Sequence, residues 1–309
     1  MNLKKPKFWD YKKPNIFAYL LFPFAYVLKI LNLLKKETNK KQINLKTICI
    51  GNIYVGGTGK TSLAIKLKKI LEKRNFKVCF IKKFYKDQID EQKLLEKNGK
   101  LFIKKNRIHA LEDAIKEKYD VAIFDDGLQD RSISYDFSFV CFNSLNWIGN
   151  GLLIPAGPLR ESINVLKLQN NVVLNGYDED LTDIKKQIKK INSNIKIYET
   201  KYIHLNNDNF DKNKKYIVFS GIGNHKTFLN MLKKQKFDIL KDFEFPDHYN
   251  YTKTDINKIF NYSKEMNAKI ITTEKDFLRL NNIGTDNIEF IKSDLEILGK
   301  EEIIKTLIN

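Results

Sequence analysis

Lys60 and Thr61 stand directly behind Gly56, Gly57 and Gly59, an arrangement suited to gripping a triphosphate. Glycines let backbone N–H groups approach an anion, and a helix N-terminus adds partial positive charge. Lys60 would reach the β- and γ-phosphates, and the Thr61 hydroxyl would sit on Mg²⁺. Tyr54, Val55, Gly56, Gly57, Thr58, Gly59, Lys60 and Thr61 are therefore the ATP-binding candidates. The strict phosphate-loop pattern wants glycine at position 54, where this chain has Tyr54. The plainer reading is a glycine-rich turn before a helix. Against it, a lysine in a helix's first turn opposes the macrodipole unless an anion is present. Asp125 and Asp126 are the metal candidates beside Thr61. They close an apolar run from Tyr119, and an apolar strand ending in aspartate is the expected partner of a phosphate loop. The alternative is an Asp-Asp-Gly turn, a common turn composition. Which of the two carboxylates meets the metal is open.

The elements that must position these groups follow from periodicity. Thr47–Ile50 is a short β-branched run, read as a buried strand; Ser62–Arg74 carries Leu63, Leu67, Ile70 and Leu71 at helical spacing. Phe76–Ile81 reads as the second strand, 82–89 as a polar loop, and Asp90-Glu91 as a helix start with acids in its first turn. Further strands are expected at 101–103, 119–125 and 138–142, with a helix at 108–118. Strands alternating with helices over 46–170 imply an α/β fold with a doubly wound, mostly parallel sheet of the P-loop NTPase type. Residues 149–161, dense in Gly and Pro, read as a long functional loop. A second, smaller α/β lobe is expected over 216–309. It has strands at 216–219, 237–243 and 268–272, helices at 225–234 and 252–266, and a capping box of Thr252 with Asp255. Gly221 and Gly223 read as a tight βα turn, since no Lys-Thr follows. The expected division is thus 1–41, 42–170 as the phosphate-loop core, 171–215 as junction, and 216–309.

The 309 residues are 42% hydrophobic, enough for one large or two ordinary cores. Cys49, Cys79 and Cys141 lie in apolar runs, an odd set that suggests reduced thiols in a cytosolic compartment. The net charge of +18 invites a nucleic-acid reading. Only five of the 55 basic residues are arginine, so lysine bias accounts for the charge and no nucleic-acid partner is expected. In such a chain a retained arginine hints at planar, bidentate contacts. Arg131 and Arg160 fall in motif-dense segments and are marked as phosphate or substrate contacts, with Glu91 and Gln129.

Residues 1–41 form a basic, apolar appendage. Its apolar stretch, Ile16–Leu34, contains Pro23, Lys29 and Asn32, which argues for a kinked helix lying in one leaflet rather than a span. A single span, or a helix packed on the core, are the alternatives. Lys4, Lys5, Lys7, Lys12, Lys13, Lys35 and Lys36 would meet anionic headgroups, and Trp9, Tyr11, Tyr19 and Tyr26 suit the interface. No cleavage site for a removable signal is seen.

Six motifs, in order, resemble the lipid A 4′-kinase (tetraacyldisaccharide 4′-kinase) family. They are Gly51-Asn-Ile-Tyr-Val-Gly-Gly-Thr-Gly-Lys-Thr61, Asp125-Asp-Gly-Leu-Gln129, Gly149-Asn-Gly-Leu-Leu-Ile-Pro-Ala-Gly-Pro-Leu-Arg-Glu161, Ser220-Gly-Ile-Gly-Asn224, Phe245-Pro-Asp-His248 and Thr272-Thr-Glu-Lys-Asp276. The resemblance implies a two-lobed P-loop kinase on the cytoplasmic face of the bacterial inner membrane, peripheral or monotopic. It would move the ATP γ-phosphate, with Mg²⁺, to the 4′-hydroxyl of an acylated disaccharide phosphate, and no obligate protein partner is implied. It also places the family's catalytic aspartate on Asp90 and its assisting histidine on His248, with Lys60 as the third catalytic group. The family's Ser-Arg-Gly-Tyr is here Lys82-Lys83-Phe84-Tyr85, and its histidine after Asp-Gly-Leu-Gln is Asp130. The chemistry is consistent, since a sugar hydroxyl is a poor nucleophile that gains from a base. The plain readings are a helix N-cap for Asp90 and a loop histidine bonding its own backbone for His248. A different class, a membrane-recruited P-loop ATPase or GTPase switch without a small-molecule product, explains the loop and the appendage but not Asp90 and His248.

Overall fold

The computed structural model describes residues 5–34, 45–85, 88–130, 132–176, 180–280, 283 and 285–308. Lys4, Lys35, Lys36 and Arg131, singled out above, lie outside them. Its elements run α1 (Ile16–Leu34), β1 (Lys46–Gly51), α2 (Lys60–Glu72), β2 (Val78–Lys83), α3 (Ile89–Asn98), β3 (Leu101–Lys104), α4 (Arg107–Lys116), β4 (Val121–Asp125), β5 (Phe137–Asn143), β6 (Asn171–Asn175), α5 (Thr182–Ile191) and β7 (Lys196–His204). They continue β8 (Lys215–Ser220), α6 (His225–Lys234), β9 (Asp238–Glu244), α7 (Lys253–Glu265), β10 (Lys269–Thr273), α8 (Glu274–Arg279), β11 (Ile288–Ile291), β12 (Ser293–Ile297) and α9 (Lys300–Ile308).

Two sheets form. One has eight strands in the order β12-β7-β6-β5-β1-β4-β2-β3, and the other four, β11-β10-β8-β9. In the larger sheet, strands β7 through β3 of that order pair in parallel. Parallel strands covered on both faces carry unbroken apolar runs, and β4 and β6 are buried throughout. Ile53, Val140, Phe142 and Val172 pack one cluster; Cys79, Ile81, Ala122 and Phe124 pack another. Register then positions chemistry. Ile50 pairs with Asp125, so β4 ends beside the start of the glycine loop. The smaller sheet is also parallel.

The chain divides into two compact units. One contains Lys5–Phe84, Leu95–Lys201 and Leu295–Asn309; the other contains Tyr85–Leu94 and Tyr202–Asp294. This corrects the expected boundaries. Residues 171–201 belong to the larger unit because β6 and β7 extend its sheet beyond β5. The Asp90 segment belongs with the smaller unit, and the last 15 residues return to the larger one. Lys82 is also corrected. Expected in a polar loop, it lies inside β2, fully buried.

In α1 only Ala18 and Ala25 are buried among the side chains described, and ten large apolar side chains, from Ile16 to Ile30, stand exposed. The helix runs through Pro23, with the Asn15 side chain accepting from the Ala18 N–H at 3.1 Å. Among the described residues no helix is long and apolar enough to cross a membrane. The three cysteines are free and buried, and burial pushes the Cys79 and Cys141 thiols up to about 12.

Candidate active site

The phosphate-loop centre is built at the ends of β1 and β4. Gly59 caps α2 in the left-handed region, φ 84°, which a glycine adopts without strain. Lys60 is therefore the first residue of a helix whose free N–H groups face the loop. The buried Asn52 amide shapes that loop from within, donating to the Tyr54 carbonyl at 2.7 Å and the Thr58 hydroxyl at 2.8 Å. From the flank, the Val55 N–H donates to the Pro158 carbonyl at 2.9 Å. Gln129 and Arg160 both donate to the Asn52 carbonyl, at 2.9 and 3.2 Å.

The two aspartates have different surroundings. Asp125 is fully buried, and its Oδ2 accepts from Thr61 Oγ1 at 3.2 Å and from Lys82 Nζ at 2.8 Å. Its Oδ1 is buried with no hydrogen-bond partner. Asp126 is met by Lys60 Nζ at 3.6 Å and gripped by Arg160 with both terminal nitrogens, at 3.0 and 3.3 Å. Burial alone would raise the Asp126 pKa, but Lys60, Arg160 and Lys82 outweigh it and hold the carboxylate well below its usual range. Asp130 pairs with Arg107 at 3.2 Å, and Arg107 also donates to the Asp126 carbonyl at 2.6 Å.

The second centre forms within the smaller unit. Asp90 is the second residue of α3 rather than its N-cap, and it is 2% exposed. Its Oδ1 accepts from His248 Nδ1 at 3.0 Å, and its Oδ2 from Arg279 at 2.7 Å. Burial works to raise the Asp90 pKa, but the His248 hydrogen bond and the charges of Arg279 and Lys275 hold it well below the usual carboxylate range. His248 moves the other way. Burial lowers it, yet the bond to Asp90 and the acids Asp247 and Glu91 raise it above its ordinary value.

The supporting residues come from the Ser-Gly-Ile-Gly and Thr-Thr-Glu-Lys-Asp motifs. Arg279 is anchored by Asp276 at 2.9 Å and by the Gly221 carbonyl. Asp276 also accepts from the Gly221 N–H at 2.9 Å and the Tyr251 hydroxyl at 2.8 Å. A side chain at 221 would put its Cβ 2.9 Å from the Pro246 carbonyl oxygen, so this turn needs glycine. The His248 N–H donates back to the Gly221 carbonyl at 3.0 Å while His248 holds a φ of 55°. Glu91 is paired to Lys275 at 3.1 Å.

A sequence profile described as tetraacyldisaccharide-1-P 4′-kinase matches residues 17–309. A tetraacyldisaccharide 4′-kinase of Pelagibacter ubique is 58% identical over 308 residues, covering 100% of this chain and 98% of its own. The chain belongs to the tetraacyldisaccharide 4′-kinase family. One from Rickettsia akari is 33% identical over 333 residues, with 99% and 98% covered. The crystal structure of LpxK from Aquifex aeolicus in complex with ATP shares the fold, with TM-score 0.69, 22% identity and 95% and 98% of the two chains covered. As a family member the protein is an ATP-dependent kinase, a transferase of lipid A biosynthesis.

Of the residues marked from sequence, Tyr54, Lys60, Thr61, Asp125, Asp126, Gln129 and Arg160 gather at the loop; Asp90, Glu91 and His248 gather in the smaller unit. Lys82, Arg279, Lys275 and Asn52 were missed. Arg279 carried a usable signal, being one of the five arginines in a lysine-rich chain.

Proposed function

We propose that the loop 54–61 holds the ATP phosphates and that the Asp90–His248 pair removes the proton from the 4′-hydroxyl of a tetraacyldisaccharide 1-phosphate. The hydrogen bond between Asp90 and His248, residues 158 apart in sequence, carries this reading. With Asp90 kept ionised by Arg279, the Nδ1 hydrogen of His248 points at the carboxylate and the imidazole is the final holder of the proton. Lys60 supplies positive charge to the transferring phosphoryl group, and positioning with electrostatic stabilisation lowers most of the barrier.

The Mg²⁺ of such a kinase has a fitting set of hard oxygen donors. Thr61 and the unpartnered Oδ1 of Asp125 would hold it. When bound, the ion neutralises charge developing between the β- and γ-phosphates. Asp126 has another task here, fixing Lys60 and Arg160 as a cationic pair.

The acceptor is a lipid, and α1 suits it. Ten exposed large apolar side chains on one helix, with Lys12 and Lys13 ahead of it, fit a segment lying in the headgroup region. We place it on the cytoplasmic face of the inner membrane, where ATP is supplied.

The test is mass spectrometry of a reaction containing ATP, Mg²⁺ and the acylated disaccharide 1-phosphate in vesicles. One added phosphate, located on the distal sugar, is expected. ATP hydrolysis with no phosphorylated lipid would return the protein to the nucleotide-switch reading.

A further inference from the structure

The segment just ahead of α1 is fastened to the nucleotide loop. The Asp10 carboxylate accepts from the Tyr54 hydroxyl, and Lys5 Nζ joins them at 2.8 Å from Asp10 and 2.9 Å from the Tyr54 oxygen. Tyr54 is 2% exposed, so its phenol is packed in place with its hydroxyl on this pair. Trp9 makes a second attachment. Its indole N–H donates to the Pro155 carbonyl at 3.0 Å, and its own carbonyl accepts from the Asn150 N–H at 2.9 Å. A Cβ at Gly149 would lie 2.1 Å from that carbonyl oxygen. The loop 149–161 is thus shaped around Trp9, and the same loop holds Val55 through Pro158 and pairs Leu159 with Tyr54. On the other side, the Phe8 and Phe17 rings lie 6.2 Å apart, joining the segment to α1.

We propose that Asp10 and Trp9 are positioning residues of the nucleotide site, and that the seating of α1 and the grip on ATP are coupled through the Asp10–Tyr54 hydrogen bond. Tyr54, at the position where a phosphate loop ordinarily has glycine, is the connecting side chain. The coupling rests on the membrane reading above; the positioning role does not. Linkage makes it reciprocal: whatever factor a docked α1 adds to nucleotide affinity, nucleotide adds to docking.

The experiment uses the full chain with Asp10→Ala, Tyr54→Phe, the double variant and Trp9→Phe. Each single change is expected to raise KM for ATP about fivefold to fiftyfold, with KM for the lipid acceptor unchanged and the thermal midpoint kept. The double variant is expected to fall well short of the sum of the two single losses, because either change alone already removes the Asp10–Tyr54 hydrogen bond. Additive losses, or KM for ATP unchanged in all four, would overturn the positioning role; Trp9→Phe reads it if the Asp10 variants do not fold. Flotation with vesicles of phosphatidylethanolamine and phosphatidylglycerol, with and without ADP, reads the coupling. Nucleotide is expected to tighten binding severalfold in the parent and not in Tyr54→Phe. Equal binding with and without ADP overturns the coupling alone. Failure to bind vesicles at all removes the membrane reading and the coupling with it, while the KM data still decide the positioning role.

Discussion

The phosphate-loop centre and the Asp90 centre differ in the balance of their charges. At the loop, Lys60, Lys82 and Arg160 face Asp125 and Asp126, a surplus of cations. Around Asp90, Asp247, Glu91 and Asp276 join it against Lys275 and Arg279, a surplus of acids with His248 among them. The first balance suits holding a polyanion. The second suits a histidine that takes up a proton, since neighbouring anions favour the imidazolium. On the proposed roles, gripping and proton removal are separated by the sign of the local field.

The largest effects are expected from removing the working group of each centre. His248→Ala and Asp90→Asn are expected to lower kcat by roughly 10²–10⁴-fold with ATP affinity retained. Lys60→Ala is expected to cost on the order of 10²–10³-fold in kcat and to weaken ATP binding as well. Steady-state kinetics with equilibrium nucleotide titration separates the two patterns. An Asp90→Asn enzyme with parental turnover would remove the second centre from the mechanism.

Next in size is stability. Lys82→Ala leaves the fully buried Asp125 without its ammonium partner. Such a loss costs about 3–5 kcal/mol, read as a lower denaturation midpoint in urea. A loss below about 1 kcal/mol, no more than an exposed pair contributes, would show that Lys82 is not the charge that makes Asp125 tolerable.

A smaller effect lies in pH dependence. The pKa of His248 is raised in the folded protein, and its neutral form is the one that accepts a proton. Activity is therefore expected to rise with pH through a midpoint above the ordinary histidine value. Asp90→Asn removes the main upward influence, so residual activity should titrate at lower pH. In stability the sign is reversed. The raised pKa contributes fully below the unfolded value and is lost as pH climbs through the folded one. A midpoint unmoved by Asp90→Asn would break the pairing of the two groups. The smallest effect is at the Thr252–Asp255 capping box, where Thr252→Ala is expected to cost about 1 kcal/mol.

Sequence revealed the two centres unequally, for a physical reason. Lys60, Thr61 and the strand ending in Asp125 sit within local patterns whose geometry follows from spacing. The α/β alternation and the Thr252 capping box were legible in the same way. Asp90 and His248 are joined only by folding, and nothing in their neighbours' spacing shows it; the family resemblance brought them together. Lys82 looked like the start of a polar loop because a fully buried lysine is rare without a partner. Its partner lies on another strand, 43 residues away. The arginine argument stopped at Arg131 and Arg160. Applied evenly, it would have included Arg279, which bridges Asp276 and Asp90, and Arg107, which bridges Asp130 and the Asp126 carbonyl. The boundaries differ where β6, β7 and β12 extend the larger sheet, since the residues of a strand carry no mark of the sheet it joins.

The bare apolar surface of α1 gives the membrane proposal a kinetic consequence. Seated in a lipid film through that helix, as proposed, the enzyme would meet its acceptor in two dimensions. Its rate is expected to follow the mole fraction of acceptor among all lipids, and adding inert phospholipid at constant acceptor molarity would slow it.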